Sequence, residues 1–126
     1  MKMILAIAAG GAVGAVSRHF LAHQITALFG AGFPIGILAC NVLGSFAMGA
    51  MVELMALAWS PSVEIRGFLT VGLLGAFTTF STFSLDVVLL AERGEYGLAG
   101  VYIVASVVLS VAGLLAGLHL FRAVLA

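Results

Sequence analysis

Four long runs of apolar residues, separated by short polar breaks, predict four membrane-spanning helices. The runs cover residues 3–28, 34–58, 65–91 and 97–122. A helix needs roughly 17 to 25 apolar residues to cross a bilayer, so each run is long enough for one span. The breaks contain turn and helix-stop signals, among them Pro34, Pro61 and Gly94. The pattern therefore predicts a single all-α integral membrane domain over residues 1–126.

The third run contains the most unusual stretch of the chain, GLLGAFTTFSTFS at residues 72–84. Gly72 and Gly75 weaken a helix, and the threonines that follow are stiff at χ1. Irregular backbone is tolerated at membrane depth only where protein buries it or where it lines a polar cavity. The stretch therefore predicts that the third helix is broken near residues 75–79, at a site for an ion or solute.

Polar and small residues recur every four positions in the second and fourth runs. Asn41 and Ser45 share one narrow face of the second helix. Tyr102, Ser106 and Ser110 do the same in the fourth helix, so that face is not expected to meet lipid. An Asn inside a membrane needs a hydrogen-bond partner. The polar face of the second helix alone is equally compatible with an interhelical hydrogen bond and with a pore lining.

Ionisable residues inside the runs allow several interpretations. Arg18 is deep in the first run, where a charge is expected to face protein or water, although an earlier end of the span would let it snorkel to the interface. His19 and His23 are spaced as two metal ligands on a helix would be, but no third ligand lies nearby, so an interfacial role is favoured. Asp86 is either a coupling acid or a helix-flanking residue, and Glu53 receives no role.

Composition agrees with the membrane assignment and excludes several classes of function. Hydrophobic residues make up 63% of the chain, charged residues 8%, and the mean hydropathy is +1.29. Four spans leave no room for a soluble catalytic domain, so an enzyme is not expected. The formal net charge is zero and there is no basic run, which argues against a nucleic-acid partner. The lone Cys40 lies in an apolar run, where a packing role is the default.

The charge pattern specifies orientation only weakly. Four spans place both termini on one side, with Lys2, Arg66 and Arg122 near that side and Arg93, together with an interfacial Arg18, near the other. So small a bias barely selects an orientation under the positive-inside rule. The chain is therefore expected to insert in either orientation or in both.

Taken together, these motifs resemble the small bacterial fluoride channels of the Fluc or CrcB family over essentially the full chain. The matching features are G-x-x-x-R from Gly14 to Arg18, Asn41, G-x-x-G followed by TTFSTFS, and the polar face of the fourth helix. The run TTFSTF in this position of a four-span chain is the specific part. One residue departs from the family pattern, since Ala76 stands where a second Gly is usual, and this affects the expected tightness of the break.

The resemblance implies an antiparallel, dual-topology homodimer with two pores in the bacterial inner membrane. Its implied function is passive fluoride export, which protects the cell against fluoride toxicity. It also implies a structural Na⁺ at the dimer centre. Main-chain oxygens freed near Gly75 and Thr78 are hard donors suited to such a cation.

The chemistry of the residues is compatible with an anion path. Fluoride holds its water strongly, so a pore must replace hydration with donors at close range and offer few negative groups. Hydroxyls and amide NH₂ groups do this, and the edge of a Phe ring carries the positive part of its quadrupole. Arg18 is assigned to a pore vestibule or to a structural role. The residues alone favour packing for the phenylalanines, and the resemblance implies that Phe80 and Phe83 belong to the anion path. The predicted anion path consists of Asn41, Phe80, Ser81, Thr82, Phe83, Tyr102, Ser106 and Ser110.

Two other classes of protein remain as alternatives. A dual-topology small multidrug transporter also has four spans, but its coupling acid is expected deep in the first helix, where this chain has Arg18. A structural membrane subunit that transports nothing could use the same small-residue faces, and ion flux in liposomes would separate it from a channel.

Overall fold

The computed structural model describes residues 1–126 and is entirely helical. The first two spans are α1 (Lys2–Phe29) and α2 (Ile35–Leu57). The third span is divided into α3 (Val63–Arg66), a π-helical segment (Gly67–Leu74), α4 (Gly75–Phe77) and α5 (Ser81–Glu92). The fourth is α6 (Tyr96–Leu125). Four helical stretches are long and apolar enough to cross a membrane, which confirms the predicted all-α architecture of four spans.

The third span changes its backbone geometry twice. In the π-helical segment the main-chain hydrogen bonds take the wider i→i+5 spacing, and the Gly75 N–H donates to the Thr70 carbonyl oxygen. Thr78 then has extended backbone angles, φ −92° and ψ 157°. The last main-chain hydrogen bond before this point joins Thr78 N–H to Leu74 O at 3.2 Å, and the next joins Ser84 N–H to Phe80 O at 2.9 Å. The main-chain groups between these bonds need partners elsewhere.

Glycines allow the helices to touch through their backbones. A Cβ on Gly14 of α1 would overlap the carbonyl oxygen of Leu73 in the π-helical segment. In the same way, a Cβ on Gly117 of α6 would overlap the carbonyl oxygen of Phe46 in α2. Small residues at such contacts are what permit close helix approach in a membrane. They bring α1 against the third span and α2 against α6.

An ion pair joins α2 and α6 near one end of the bundle. Arg122 Nη2 lies 3.1 Å from Glu53 Oε2. The Glu53 side chain is only 8% exposed, whereas that of Arg122 is 53% exposed. Glu53, which had no role from the sequence, is therefore a buried acid whose charge is compensated by an arginine that still reaches the surface.

The single chain has a small core and a largely apolar surface. Only 17 of its 126 residues are buried, so most of its hydrophobic side chains must be covered by lipid or by another protein. The core cluster lies between α5 and α6 and consists of Phe83, Leu90, Ala99 and Tyr102. It stands directly beside the cavity described next.

Candidate ion-conducting site

A cavity of about 410 Å³ lies where α2, the third span and α6 meet. Its wall contains hydroxyl, amide and aromatic groups but no ionisable side chain. The lining residues are Asn41, Ser45, Gly75, Thr78, Thr79, Phe80, Phe83, Ser106, Val107, Ser110 and Val111.

Asn41 connects α2 to the interruption of the third span. Its Nδ2 donates to the Thr79 carbonyl oxygen at 3.1 Å, and the Thr79 N–H donates to Asn41 Oδ1 at 2.8 Å. The side chain therefore supplies a donor and an acceptor to backbone that has left the helix. An Asn amide has two donors and two acceptor lone pairs, so one N–H is left over for another partner.

Ser106 and Ser110 carry the least satisfied polar groups of the cavity. Both hydroxyl oxygens are buried, and neither has a hydrogen-bond partner within the chain. Their four-residue spacing places them one above the other on the same face of α6. An unsatisfied buried hydroxyl costs about 1–3 kcal/mol, so two in one cavity call for a missing partner. A water molecule or an anion would supply it.

Phe80 and Phe83 bring two aromatic rings to the cavity. Their ring centroids are 5.4 Å apart with an interplanar angle of 50°. Phe80 is 76% exposed in the single chain, whereas Phe83 is 9% exposed. Phe83 also packs against Tyr102, and the centroids of these two rings are 5.2 Å apart.

Tyr102 is fully buried beside the cavity and does not belong to its lining. Its hydroxyl donates to Asp86 Oδ2 at 3.1 Å. Its ring also meets Phe33 edge to face, with centroids 5.5 Å apart. Asp86 therefore has a hydrogen-bond partner on α6, which is a structural contact that the sequence did not predict.

Ser81 and Thr82, also predicted for the anion path, lie outside the lining of this cavity. Ser81 Oγ is 3.4 Å from Thr79 Oγ1, and the Thr82 N–H donates to the same Thr79 hydroxyl at 3.2 Å. Thr82 lines a second pocket instead, together with Arg18 and other residues of α1.

Arg18 faces protein. Its Nη1 donates to the Ala76 carbonyl oxygen at 2.8 Å and lies 3.5 Å from the Thr78 carbonyl oxygen. The guanidinium thus covers carbonyl groups at the end of α4 that have lost their helical partners. This contact agrees with the structural role considered for Arg18.

The main-chain oxygens of Gly75 and Thr78 fit the requirements of a hard cation. No main-chain or side-chain donor in the chain reaches the Gly75 carbonyl. The Thr78 carbonyl has only the long contact to Arg18, at 3.5 Å. Neutral oxygens without strong donors are the ligands that such cations prefer. The two residues also lie on the cavity wall.

Ser45 and Thr79 are polar lining residues that were not among the predicted anion-path or metal residues. The position of Ser45, four residues after Asn41 on the same face of α2, was a usable signal, because a helix aligns such residues. Thr79 lies inside the recognised motif. Its importance comes from main-chain groups, which no side-chain pattern reveals.

These features define a small multi-pass membrane protein with an uncharged polar cavity between its spans. The family model described as "CrcB-like protein, Camphor Resistance (CrcB)" matches residues 5–118, and the chain belongs to this family. The resemblance deduced from the motifs is thereby confirmed.

Several relatives align over nearly the whole chain. The chain is 53% identical, over its full length and that of the relative, to a protein of Rhodospirillum centenum named fluoride-specific ion channel FluC. A protein of the same name from Agrobacterium fabrum is 50% identical over 97% of this chain and 98% of its own. Another, from Rhizobium etli, is 49% identical over 98% of both chains.

Proposed function

We propose that this protein is a fluoride-selective channel that exports fluoride passively across the bacterial inner membrane and so protects the cell from fluoride. The observation that carries the proposal is the pair of buried, unpartnered hydroxyls of Ser106 and Ser110 in a cavity without fixed charge. The names of relatives that are about half identical over the whole chain support it.

The groups on the wall suit a small anion that is costly to dehydrate. The hydroxyls of Ser106 and Ser110 and the remaining N–H of Asn41 would replace part of its hydration. The rings of Phe80 and Phe83 would add their positive edges from an apolar wall. No carboxylate lines the cavity, so no fixed negative charge there repels the ion.

The functional unit in this proposal is an antiparallel homodimer with two pores. Phe80 is 76% exposed in the single chain although it lies on the cavity wall, so the path needs a second surface to close it. The small charge bias between the two sides supports insertion in both orientations. Tags on each terminus, tested for accessibility from both sides of the membrane, should report both orientations. A single orientation in every copy would exclude the antiparallel dimer.

We further propose that the main-chain oxygens of Gly75 and Thr78 from both chains hold a structural Na⁺ at the dimer centre. A bound Na⁺ would supply positive charge where the Gly75 carbonyl has no donor and the Thr78 carbonyl has only the long contact to Arg18. The dimer should then dissociate more readily when Na⁺ is replaced by a large organic cation at equal ionic strength. A well-resolved map of the dimer in Na⁺ without central density would contradict the site.

A fluoride-selective electrode tests the proposed function directly. In the presence of the potassium carrier valinomycin, liposomes that contain purified protein and are loaded with potassium fluoride should release fluoride much faster than protein-free liposomes. Asn41→Asp should abolish this release, because it replaces the amide donors with a negative charge. Dimers that are intact in the membrane but release no fluoride would refute the proposed function.

A further inference from the structure

A second pocket, of about 310 Å³, contains polar groups that the proposed anion path does not use. Its wall is formed mainly by one side of α1, with single contributions from α2 and α5. Arg18, His19, His23 and Thr26 form a polar stripe from the middle of α1 towards its C-terminal end. Polar and charged residues within a span face protein or water. A stripe that continues to the helix end therefore gives the pocket a polar route to the membrane surface.

His19 and His23 are the groups in this pocket with unused binding capacity. Their ring centroids are 6.4 Å apart and the rings are nearly parallel, with an interplanar angle of 17°. Both side chains are exposed, and neither makes a hydrogen bond within the chain. Residues four apart project from the same side of a helix, so both imidazoles can reach one point.

We propose that His19 and His23 form a binding site for a transition-metal dication of the Zn²⁺ type. Neutral imidazole is a common ligand of zinc, copper and nickel, whereas Mg²⁺ and Ca²⁺ prefer oxygen ligands. The spacing alone did not favour such a site. The structure adds that both rings are unpartnered and face one pocket with room for the water that would complete the coordination.

The other residues of the pocket determine the affinity of this site for the metal ion. No third His, Cys, Asp or Glu joins the pair, so water fills the remaining positions and binding is weaker than at a four-ligand structural zinc site. The nearest cation, Arg18, directs its guanidinium to the carbonyl oxygens of Ala76 and Thr78. Its charge lowers the affinity for a dication without occupying the imidazole nitrogens.

Calorimetric titration of the purified full-length protein with Zn²⁺ tests the site, provided that any polyhistidine tag is removed first. We expect one Zn²⁺ per chain and no comparable binding of Mg²⁺. His19→Gln and His23→Gln should each weaken binding at least about tenfold, a change of about 1.4 kcal/mol.

The third histidine of the chain provides the matched control. His119 is exposed on α6 and does not line the pocket, so His119→Gln should bind Zn²⁺ as the wild type does. Asn variants at positions 19 and 23 serve as replacements if a Gln variant fails to give the wild-type elution profile. The proposal is overturned if the wild type shows no binding at about 1 mM Zn²⁺. It is equally overturned if His119→Gln loses as much affinity as the variants in the pocket.

Discussion

The hydroxyls of Ser106 and Ser110 are buried in the cavity without a partner, which separates their effect on stability from their effect on transport. Ser106→Ala and Ser110→Ala remove no hydrogen bond of the chain, so the free energy of unfolding should change by less than about 0.5 kcal/mol or rise. Each change should lower fluoride efflux roughly tenfold, because a hydrogen bond to a charged group contributes about 1.5–3 kcal/mol.

Fluoride efflux and denaturant unfolding should be measured on the same preparations of these variants. Ser17→Ala is the control, because Ser17 is exposed on α1, outside the cavity, and its efflux should equal that of the wild type. If Ser106→Ala and Ser110→Ala both conduct like the wild type, these hydroxyls do not handle the ion.

Phe80 and Phe83 differ in burial, so the same substitution at the two positions should change the stability of the protein by different amounts. Phe83 packs against Tyr102, and Phe83→Leu should cost up to about 1.5 kcal/mol of stability. Phe80 is mostly exposed in the chain, so Phe80→Leu should cost much less. Both variants should lose most of their fluoride efflux, because both lose a positive ring edge at the path.

Phe20→Leu provides the comparison for these rings, since Phe20 is an exposed aromatic residue of α1 that does not belong to the cavity lining. Its efflux should match the wild type. Wild-type efflux from folded Phe80→Leu and Phe83→Leu dimers would show that the two rings only pack.

At the scale of single residues, sequence reasoning identified side chains better than main-chain groups. Polar side chains at helical spacing pointed to Asn41, Ser106 and Ser110, the resemblance to the family pointed to Phe80 and Phe83, and all five line one cavity. The binding of Asn41 to the Thr79 main chain could not be deduced, because it depends on where α2 meets the third span. Their roles in conduction stay predictions until flux is measured.

Between elements, the contact of α1 with the third span depends on Gly14 and not on Gly11. A Cβ at Gly14 would overlap the Leu73 carbonyl oxygen, whereas a Cβ at Gly11 would meet nothing within 4 Å. Gly14→Ala should therefore destabilise the protein by about 1–3 kcal/mol, the usual cost of overpacking. Gly11→Ala should be neutral or stabilising, because Ala is the better helix former.

Unfolding of the two glycine variants in mixed micelles, followed by circular dichroism, would measure this difference. Both substitutions add one methyl group to α1, so helix propensity and hydrophobicity are matched between them. Equal stability of Gly11→Ala and Gly14→Ala would mean that α1 does not approach the third span through its backbone at residue 14.

The ion pair between α2 and α6 should respond unequally to the loss of its two members. Arg122→Gln leaves the buried Glu53 carboxylate without its cation, which should cost about 1–3 kcal/mol. Glu53→Gln leaves an arginine that is half exposed and can reach water, so the cost should stay below about 1 kcal/mol. Chemical denaturation of both variants measures the two costs, and a larger loss for Glu53→Gln would contradict this account.

At the scale of elements, the number of spans was predictable and their contacts were not. Apolar run length determines how many helices can cross a bilayer, and the four predicted spans are present. The ion pair joins residues 53 and 122, which are 69 positions apart in sequence. No local pattern predicts a contact at that separation, and Glu53 accordingly received no role from the sequence.

For the whole molecule, the single chain indicates what the proposed second copy would have to provide. Its cavity is lined by donors and aromatic rings on one chain, yet Phe80 is largely uncovered and the Gly75 carbonyl has no donor. An antiparallel partner would cover Phe80, and with Na⁺ it would give the Gly75 carbonyl a partner. The sequence pointed to this assembly only through its small charge bias and its resemblance to the family, because no periodicity within one chain specifies a partner.

The central claim is that fluoride moves through this protein passively, as an uncoupled ion. The most direct measurement of uncoupled transport is therefore fluoride efflux from liposomes that contain the protein and are loaded with a potassium salt of fluoride. The efflux is measured with and without the potassium carrier valinomycin. A channel separates charge, so efflux should be slow until valinomycin lets potassium leave, and should then become fast, with no matching release of chloride. Fast efflux without valinomycin that depends on a proton gradient, or equal release of chloride, would contradict a passive fluoride-selective channel.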